Sequence, residues 1–179
     1  RRHTRYISVT GVQTCALPIS TADRAKDLKN KPAYIAGYGQ NTAHRPEYLT
    51  YMIDDYLEAG RPHAGKIYER AGMGPKDIDV AQLYDGFSPS TLYWLEAAGF
   101  CGEGEALDFV QDGNVSLTGS LPLNTFGGSL SEGRLHGMGH LAEAVRQVTD
   151  RAEGRQIAGA DRKSTRLNSS HTDISRMPS

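Results

Sequence analysis

Two stretches of this chain gather side chains that can bind a reactant or move a proton. The first, Tyr84-Asp85-Gly86-Phe87, sets a phenol and a carboxylate beside a glycine. A tyrosine can act as a general acid or as a donor to an oxyanion, and a glycine lets the backbone approach a ligand closely. The same residues would also suit a core tyrosine at a strand end followed by a turn. The second stretch runs from Asn124 through Gly127, Gly128, Gly133, Arg134, His136, Gly137 and Gly139 to His140. Its glycines suit a loop folded around a ligand or a facing backbone, and Arg134, His136 and His140 could bind anions or transfer protons. The plain alternative is a structural loop in which His140 opens the next helix. A phosphate-cradling P-loop is excluded, because the Gly-Lys-Ser/Thr ending is missing.

Other reactive residues are isolated. His44 and His63 stand alone and are expected at the surface, and no histidine or cysteine falls at metal-ligand spacing. Cys101, followed by Gly102, has no flanking group that would activate it, and reads as a half-buried thiol.

The elements that must carry these stretches follow from periodicity. Residues 33–39 form an apolar run closed by glycines, a strand entering a loop. Tyr48, Met52, Tyr56 and Leu57 predict a helix over 47–59 that ends at Gly60, and a second helix covers 62–71 with Gly72 as its stop. Gly74-Pro75-Lys76-Asp77 is a turn, and 78–84 alternates as a strand with Ile78, Val80 and Gln82 on one face. Ser88 caps a helix that has Pro89 in its first turn and Gly99 at its end. Residues 101–120 read as a long loop and 121–124 as extended. Leu141, Ala144, Val145 and Val148 fall on one helical stripe. Alternating strands and helices imply a layered α/β architecture, whose sites gather in loops just past the strands. Both reactive stretches occupy such loops.

The two ends of the chain have a different character. Pairing residues inward from the termini, Arg1 (AGA) is the antisense of Ser179 (TCT), Arg2 of Pro178, His3 of Met177, Tyr6 of Ile174, Cys15 of Thr165, Pro18 of Arg162 and Ile19 of Asp161. Every pair from 1/179 to 19/161 admits complementary codons. Residues 1–19 and 161–179 are therefore expected to be translations of opposite strands of one DNA segment, and they resemble a short sequencing adapter. They are set aside as non-native, leaving 20–160 as the protein proper. The flanks hold seven of the 20 basic and two of the 21 acidic residues, so the remainder has 13 against 19, a net charge of −6. That balance argues against nucleic-acid binding through phosphate contacts. With Cys15 set aside, Cys101 is the one remaining thiol. A reducing cytoplasm is the expected compartment, and no stretch has the length of a membrane span.

The order of four blocks resembles the C-terminal half of thiolase-fold enzymes, in particular the sterol-carrier-type thiolases and the lipid-transfer-protein aldolases of steroid side-chain degradation. The blocks are Ala71 through Asp79, Gln82 through Phe87, Leu95 through Glu105, and Leu123 through Gln147. The resemblance implies a layered thiolase fold, a coenzyme A thioester as substrate with no separate cofactor, a homodimer in the full-length parent, and a small OB-fold protein as partner. It implies catalytic roles for Tyr84, Asp85, Arg134 and His136, with Asn124, Gly127 and Gly128 lining the substrate.

Two departures bear on the chemistry. Where thiolases carry Asn-Glu-Ala-Phe or His-Asp-Cys-Phe, this chain has Tyr84-Asp85-Gly86-Phe87, and Tyr84 stands where the aldolases use a tyrosine. Where thiolases carry the Gly-His-Pro base, this chain has Gly133-Arg134-Leu135, and a protonated arginine cannot take a proton. The reading is a piece of an acyl-CoA enzyme, an acyltransferase or a carbon–carbon lyase, with the N-terminal half and closing strands absent and no activity on its own. The alternative is a non-catalytic relative that binds acyl-CoA or lipid and scaffolds the OB-fold partner.

Overall fold

The computed structural model describes residues 20–39, 53–160, 163–167 and 172–176. Its strands are β1 (Tyr34–Gly39), β2 (Val80–Leu83), β3 (Lys163–Leu167) and β4 (Thr172–Arg176). Its α-helices are α1 (Ala22–Ala25), α2 (Ile53–Ala71), α3 (Ser88–Ala97), α4 (Ala106–Gln111), α5 (Gly128–Ser131) and α6 (Met138–Val148). The strands form one sheet in the order β1-β4-β3-β2, with β2 and β3 parallel and the other pairs antiparallel.

All four residues of β2 are buried, so the alternation expected over 78–84 does not divide wet from dry. Both faces of the strand are covered. Ala81 and Leu83 join a core with Ile67 of α2 and Trp94 and Leu95 of α3. Gln82 points the other way, toward Thr125 and the α6 side of the sheet. Helices on both faces of a sheet make the layered α/β arrangement.

Residues 53–71 form one helix rather than two. Gly60 does not end it, because the glycine is a packing site against α3. A Cβ there would stand 2.6 Å from Ala97 Cβ and 3.2 Å from the Trp94 ring. Pro62 lies inside the same helix. The stop comes at Gly72, at φ +64, where the amides of Gly72 and Met73 return to the carbonyls of Glu69 and Tyr68. The 47–52 part of the expected first helix and His44 lie outside the described residues. His63, expected at the surface, is buried at 3 % exposure on the α2 face that meets β1, where its carbonyl lies 3.4 Å from a Cβ built on Gly39.

Helix α3 follows the expected boundaries with a change of cap. Phe87 is the extended N-cap and Ser88 the first helical residue, with Pro89 in the first turn. At the other end Gly99 has φ +76, and the amides of Gly99 and Phe100 bond the carbonyls of Glu96 and Leu95. The 101–120 region is not all loop, since Ala106 buries itself in the core and anchors α4.

Helix α6 buries Ala144 and Val148 of the expected stripe, at 1 % and 0 % exposure, and a polar face beside them. The apolar residues Leu141 and Val145 are only half-buried, while His140, Glu143 and Gln147 are fully buried. The helix turns its polar stripe inward because each of those groups finds a partner there.

Two strands run through the flank for which no protein structure was expected. β3 pairs in register with β2, Val80 opposite Ser164, and β4 pairs with β1, Tyr34 opposite Arg176. Strand pairing uses main-chain groups, which any residue except proline supplies, and the open edges of β1 and β2 offer unpaired groups to receive it. The pairing speaks to conformation and not to the origin of the codons.

Candidate active site

The site is built where β2 ends. On the edge of β2 away from β3, the segment before Asn124 lies alongside the strand. The Ala81 amide bonds Pro122 O at 2.9 Å, and the Asn124 amide bonds Ala81 O at 2.9 Å. The Asn124 side chain then continues the ladder. Its Oδ1 accepts from the Leu83 amide and its Nδ2 donates to the Leu83 carbonyl, both at 2.8 Å. Asn124, expected to contact substrate, thus has both polar atoms on β2. It holds φ +46, a conformation that asparagine tolerates better than most residues.

Thr125 is the next anchor. Its hydroxyl donates to Glu143 Oε1 at 2.7 Å and accepts from Gln82 Nε2 at 3.2 Å and Gln147 Nε2 at 3.0 Å. The buried Glu143 carboxylate is also held by Arg155, through Nε at 3.3 Å and Nη2 at 3.2 Å. A buried carboxylate needs such pairing to be tolerated. Phe126 completes the series, packing edge-on against the His140 ring at 5.0 Å between centroids. Three consecutive residues therefore tie the loop to β2, to α6 and to the histidine.

Past them the chain turns through Gly127 (φ +102) and Gly128 (φ +67) around the Asp85 carboxylate. The Ser129 amide donates to Asp85 Oδ1 at 2.7 Å, and Oδ2 fills the space where a Cβ on Gly128 would stand. His140 Nε2 lies 3.0 Å from the same Oδ1, with His140 1 % and Asp85 8 % exposed. An ionised carboxylate only accepts, so Nε2 carries the proton. Burial pushes the Asp85 carboxyl upward, but the hydrogen bonds from His140 and Ser129 outweigh it and hold the group below its ordinary value. Asp85 and Gly128 form one closed unit, with Gly127 turning against Ser131 beside it.

Tyr84, buried at 9 % exposure, pairs with the exposed Arg134. Arg134 Nε donates to the Tyr84 oxygen at 3.1 Å, and its guanidinium carbon lies 5.6 Å from the centre of the Phe87 ring. The Tyr84 side chain folds back over Gly86, where a Cβ would collide with its hydroxyl and ring. Gly86 thus leaves room for the tyrosine. A phenol that accepts from a guanidinium keeps its own O–H for another acceptor.

The structure brings Tyr84 to Arg134, and Asp85 to Gly128. His136 sits exposed at φ +48 on the outer part of the loop. His140 is the histidine that bonds Asp85, a contact the catalytic reading of the sequence had not assigned to it. The clue was its spacing with Glu143 and Gln147, a polar stripe at helical intervals.

Cys101 lies away from this constellation. Burial, with Glu96 and Glu105 adding to it, pushes its thiol up to about 11. Among the described residues no cluster of His, Cys, Asp or Glu is placed to hold a metal ion. No helix among them is long and apolar enough to cross a membrane.

A layered α/β unit with reactive side chains at the end of a central strand, and glycine turns closing on it, defines a thiolase-like C-terminal domain. Residues 41–170 match the thiolase C-terminal domain-like family, and the chain belongs to that family. It is 43 % identical over 140 residues to a steroid side-chain-cleaving aldolase of Thermomonospora curvata, an overlap of 74 % of this chain and 35 % of the relative. It is 42 % identical over 139 residues to 17-hydroxy-3-oxo-4-pregnene-20-carboxyl-CoA lyase of Mycobacterium tuberculosis, with the same coverage of 74 % and 35 %. The solved Ltp2-ChsH2(DUF35) aldolase superposes with a TM-score of 0.75 at 34 % identity, covering 87 % of this chain and 42 % of that one. The chain spans about a third of the length of the curated relatives it matches.

Proposed function

We propose that this chain is the C-terminal part of a lyase of the thiolase superfamily that breaks a carbon–carbon bond in a β-hydroxyacyl-CoA thioester. The observation that carries this reading is the Arg134 Nε to Tyr84 hydroxyl hydrogen bond at the mouth of the strand. In such a cleavage a base takes the β-hydroxyl proton, the Cα–Cβ bond breaks to a carbonyl product and a thioester enolate, and an acid returns a proton to Cα. Tyr84 is the acid, giving its proton to the enolate, and Arg134 stabilises the phenolate that remains. Exposed Phe87, Leu130, Leu135 and Met138 supply apolar surface on the same loops for a bulky acyl group. The similarity to two enzymes named for lyase or aldolase chemistry favours cleavage over acyl transfer.

On the same reading the full-length enzyme is a cytoplasmic homodimer that works with an OB-fold partner. The likeness to the Ltp2-ChsH2(DUF35) aldolase supports the partner. Residues 1–19 and 161–179 are read as products of inverted copies of one DNA segment, as their complementary codons suggest.

The test is cleavage of β-hydroxyacyl-CoA by the full-length protein that carries this segment, wild type and Tyr84→Phe. The expected result is a fall in kcat of about 100-fold or more with little change in KM. Unchanged turnover in the variant would remove Tyr84 from the mechanism. A wild-type protein that binds acyl-CoA but turns over neither hydroxyacyl nor ketoacyl thioesters would favour a non-catalytic acyl-CoA-binding scaffold.

A further inference from the structure

His140 lies within 6.0 Å, centroid to centroid, of the Tyr84 ring and 5.0 Å of the Phe126 ring, and its Nε2 sits on Asp85. The imidazole is therefore walled by the tyrosine just past β2, the phenylalanine from the loop and the carboxylate between them. Asp85 in turn is the acceptor for the Ser129 amide and fills the gap over Gly128. A turn with two left-handed glycines in succession has little conformational preference of its own. The Gly127 amide bonds Asn124 O at 2.8 Å, and past it the turn leans on one buried carboxylate, which His140 and the Ser129 amide together keep charged.

We propose that His140 is a positioning residue: by holding Asp85 ionised and oriented, it fixes the Gly127–Ser129 turn beside the Tyr84–Arg134 pair. Its link to catalysis rests on the lyase reading above. Its link to the turn does not. A neutral, protonated Asp85 offers the Ser129 amide a weaker acceptor, since hydrogen bonds to a charged acceptor are about twice as strong as neutral ones. The charged and titratable groups around the pair are few. Tyr84 comes from just past β2, with Arg134 behind its hydroxyl. Glu143, one turn along α6, is already engaged by Thr125, Arg155 and Arg146. α5 contributes only the Ser129 amide.

The sign of the pH effect follows. With His140 replaced by leucine, burial of Asp85 is opposed by backbone hydrogen bonds alone, that of Ser129 first, and the carboxyl rises. The turn is then held at alkaline pH and released as pH falls through the raised value. Glutamine can place an N–H where the histidine Nε2–H stands, so His140→Gln keeps the bond.

The experiment measures amide hydrogen-exchange protection at Gly128 and Ser129 in the full chain between pH 5 and 8, for wild type, His140→Gln and His140→Leu. The expected result is level protection in wild type and near-wild-type protection in the glutamine variant. In the leucine variant Ser129 protection falls about tenfold or more toward pH 5. Equal protection in all three proteins overturns the proposal. So does a glutamine variant as unprotected as the leucine one, because that outcome makes ring packing, not the hydrogen bond, the cause. If the leucine variant does not fold, the glutamine variant decides: protection kept supports the role and protection lost overturns it.

A second measurement addresses catalysis. In the full-length enzyme, the leucine variant is expected to lose kcat, not KM, with the acid limb of its pH profile moved upward and rescue by glutamine. Inactivity of the wild type on hydroxyacyl-CoA would defeat the lyase reading and leave the exchange result to stand by itself.

Discussion

Asn124 uses its side-chain amide as a piece of strand, hydrogen-bonding both the amide and the carbonyl of Leu83 at 2.8 Å across 41 residues of chain. The residue thereby fixes where β2 stops and where Tyr84 begins. Replacing Asn124 by alanine strands two backbone groups and leaves a strained φ of +46 without its asparagine. The expected loss is about 1–3 kcal/mol of stability, read by urea unfolding. Asn124→Asp should do no better, since a carboxylate cannot donate to the Leu83 carbonyl. A variant with unchanged midpoint and slope would show that the ladder needs no such extension.

Much of the frame was legible in the sequence, and the misses have common causes. Strand β1, the turn at Gly74–Asp77, helix α3 and helix α6 fall where periodicity and glycine stops place them. Gly60 was misread because a glycine that ends a helix and a glycine that lets two helices touch look alike until Ala97 and Trp94 are seen beside it. His63 was misread for a related reason, since one histidine carries no period to say which face it occupies. On α6 the apolar stripe predicted the helix and the burial of Ala144 and Val148, but not the polar face buried beside them. Hydrophobic spacing ignores the satisfaction of polar groups, and Glu143 and Gln147 have more partners inside than a leucine would. The site loops were found by composition. Which residues meet within them was not, because the contact of His140 with Asp85 depends on how the chain folds through four positive-φ glycines between 127 and 137.

Asp85 gives the fold an acid-sensitive joint. Its carboxyl is held below the ordinary value in the folded protein, because the His140 and Ser129 hydrogen bonds outweigh burial. A depressed carboxyl contributes stability that is fully present above its unfolded value, about 4, and is lost as pH falls through the folded one. Stability measured from pH 6 down to pH 3 should therefore decline in wild type, and Asp85→Asn should flatten part of that decline while lowering stability at pH 6. Gly128→Ala should mimic the loss at every pH, since its Cβ would occupy the position of Asp85 Oδ2. An alanine variant that melts with wild type would mean that the carboxylate can move aside without cost.

Cys101 should behave as a structural thiol. A group pushed up to about 11 is thiolate in only a minute fraction at pH 7.5, and the thiolate is the reactive form. Alkylation by iodoacetamide at that pH should run at least about tenfold slower than for an unfolded peptide of the same local sequence. Glu105→Gln should speed it modestly, by removing one of the acidic neighbours that disfavour the anion. Labelling as fast as the peptide would return Cys101 to the set of possible nucleophiles.

The flanks admit a decisive test at the level of DNA and a second at the level of the fold. If residues 1–19 and 161–179 derive from inverted copies of one segment, long reads of the source locus will depart from this sequence near codons 20 and 160 at both junctions. Flanks that persist in the native locus would make them protein and give β3 and β4 a natural origin. The fold test uses the pairing itself. β3 and β4 join the sheet through main-chain bonds to β2 and β1. A protein whose residues 163–167 are replaced by the natural continuation should keep the Asn124–Leu83 ladder on the other edge of β2, because that edge owes nothing to the flank. The expected outcome is unchanged exchange protection at the Leu83 amide. Loss of that protection would show that the β3 edge is needed to hold β2 in place, and with it Tyr84.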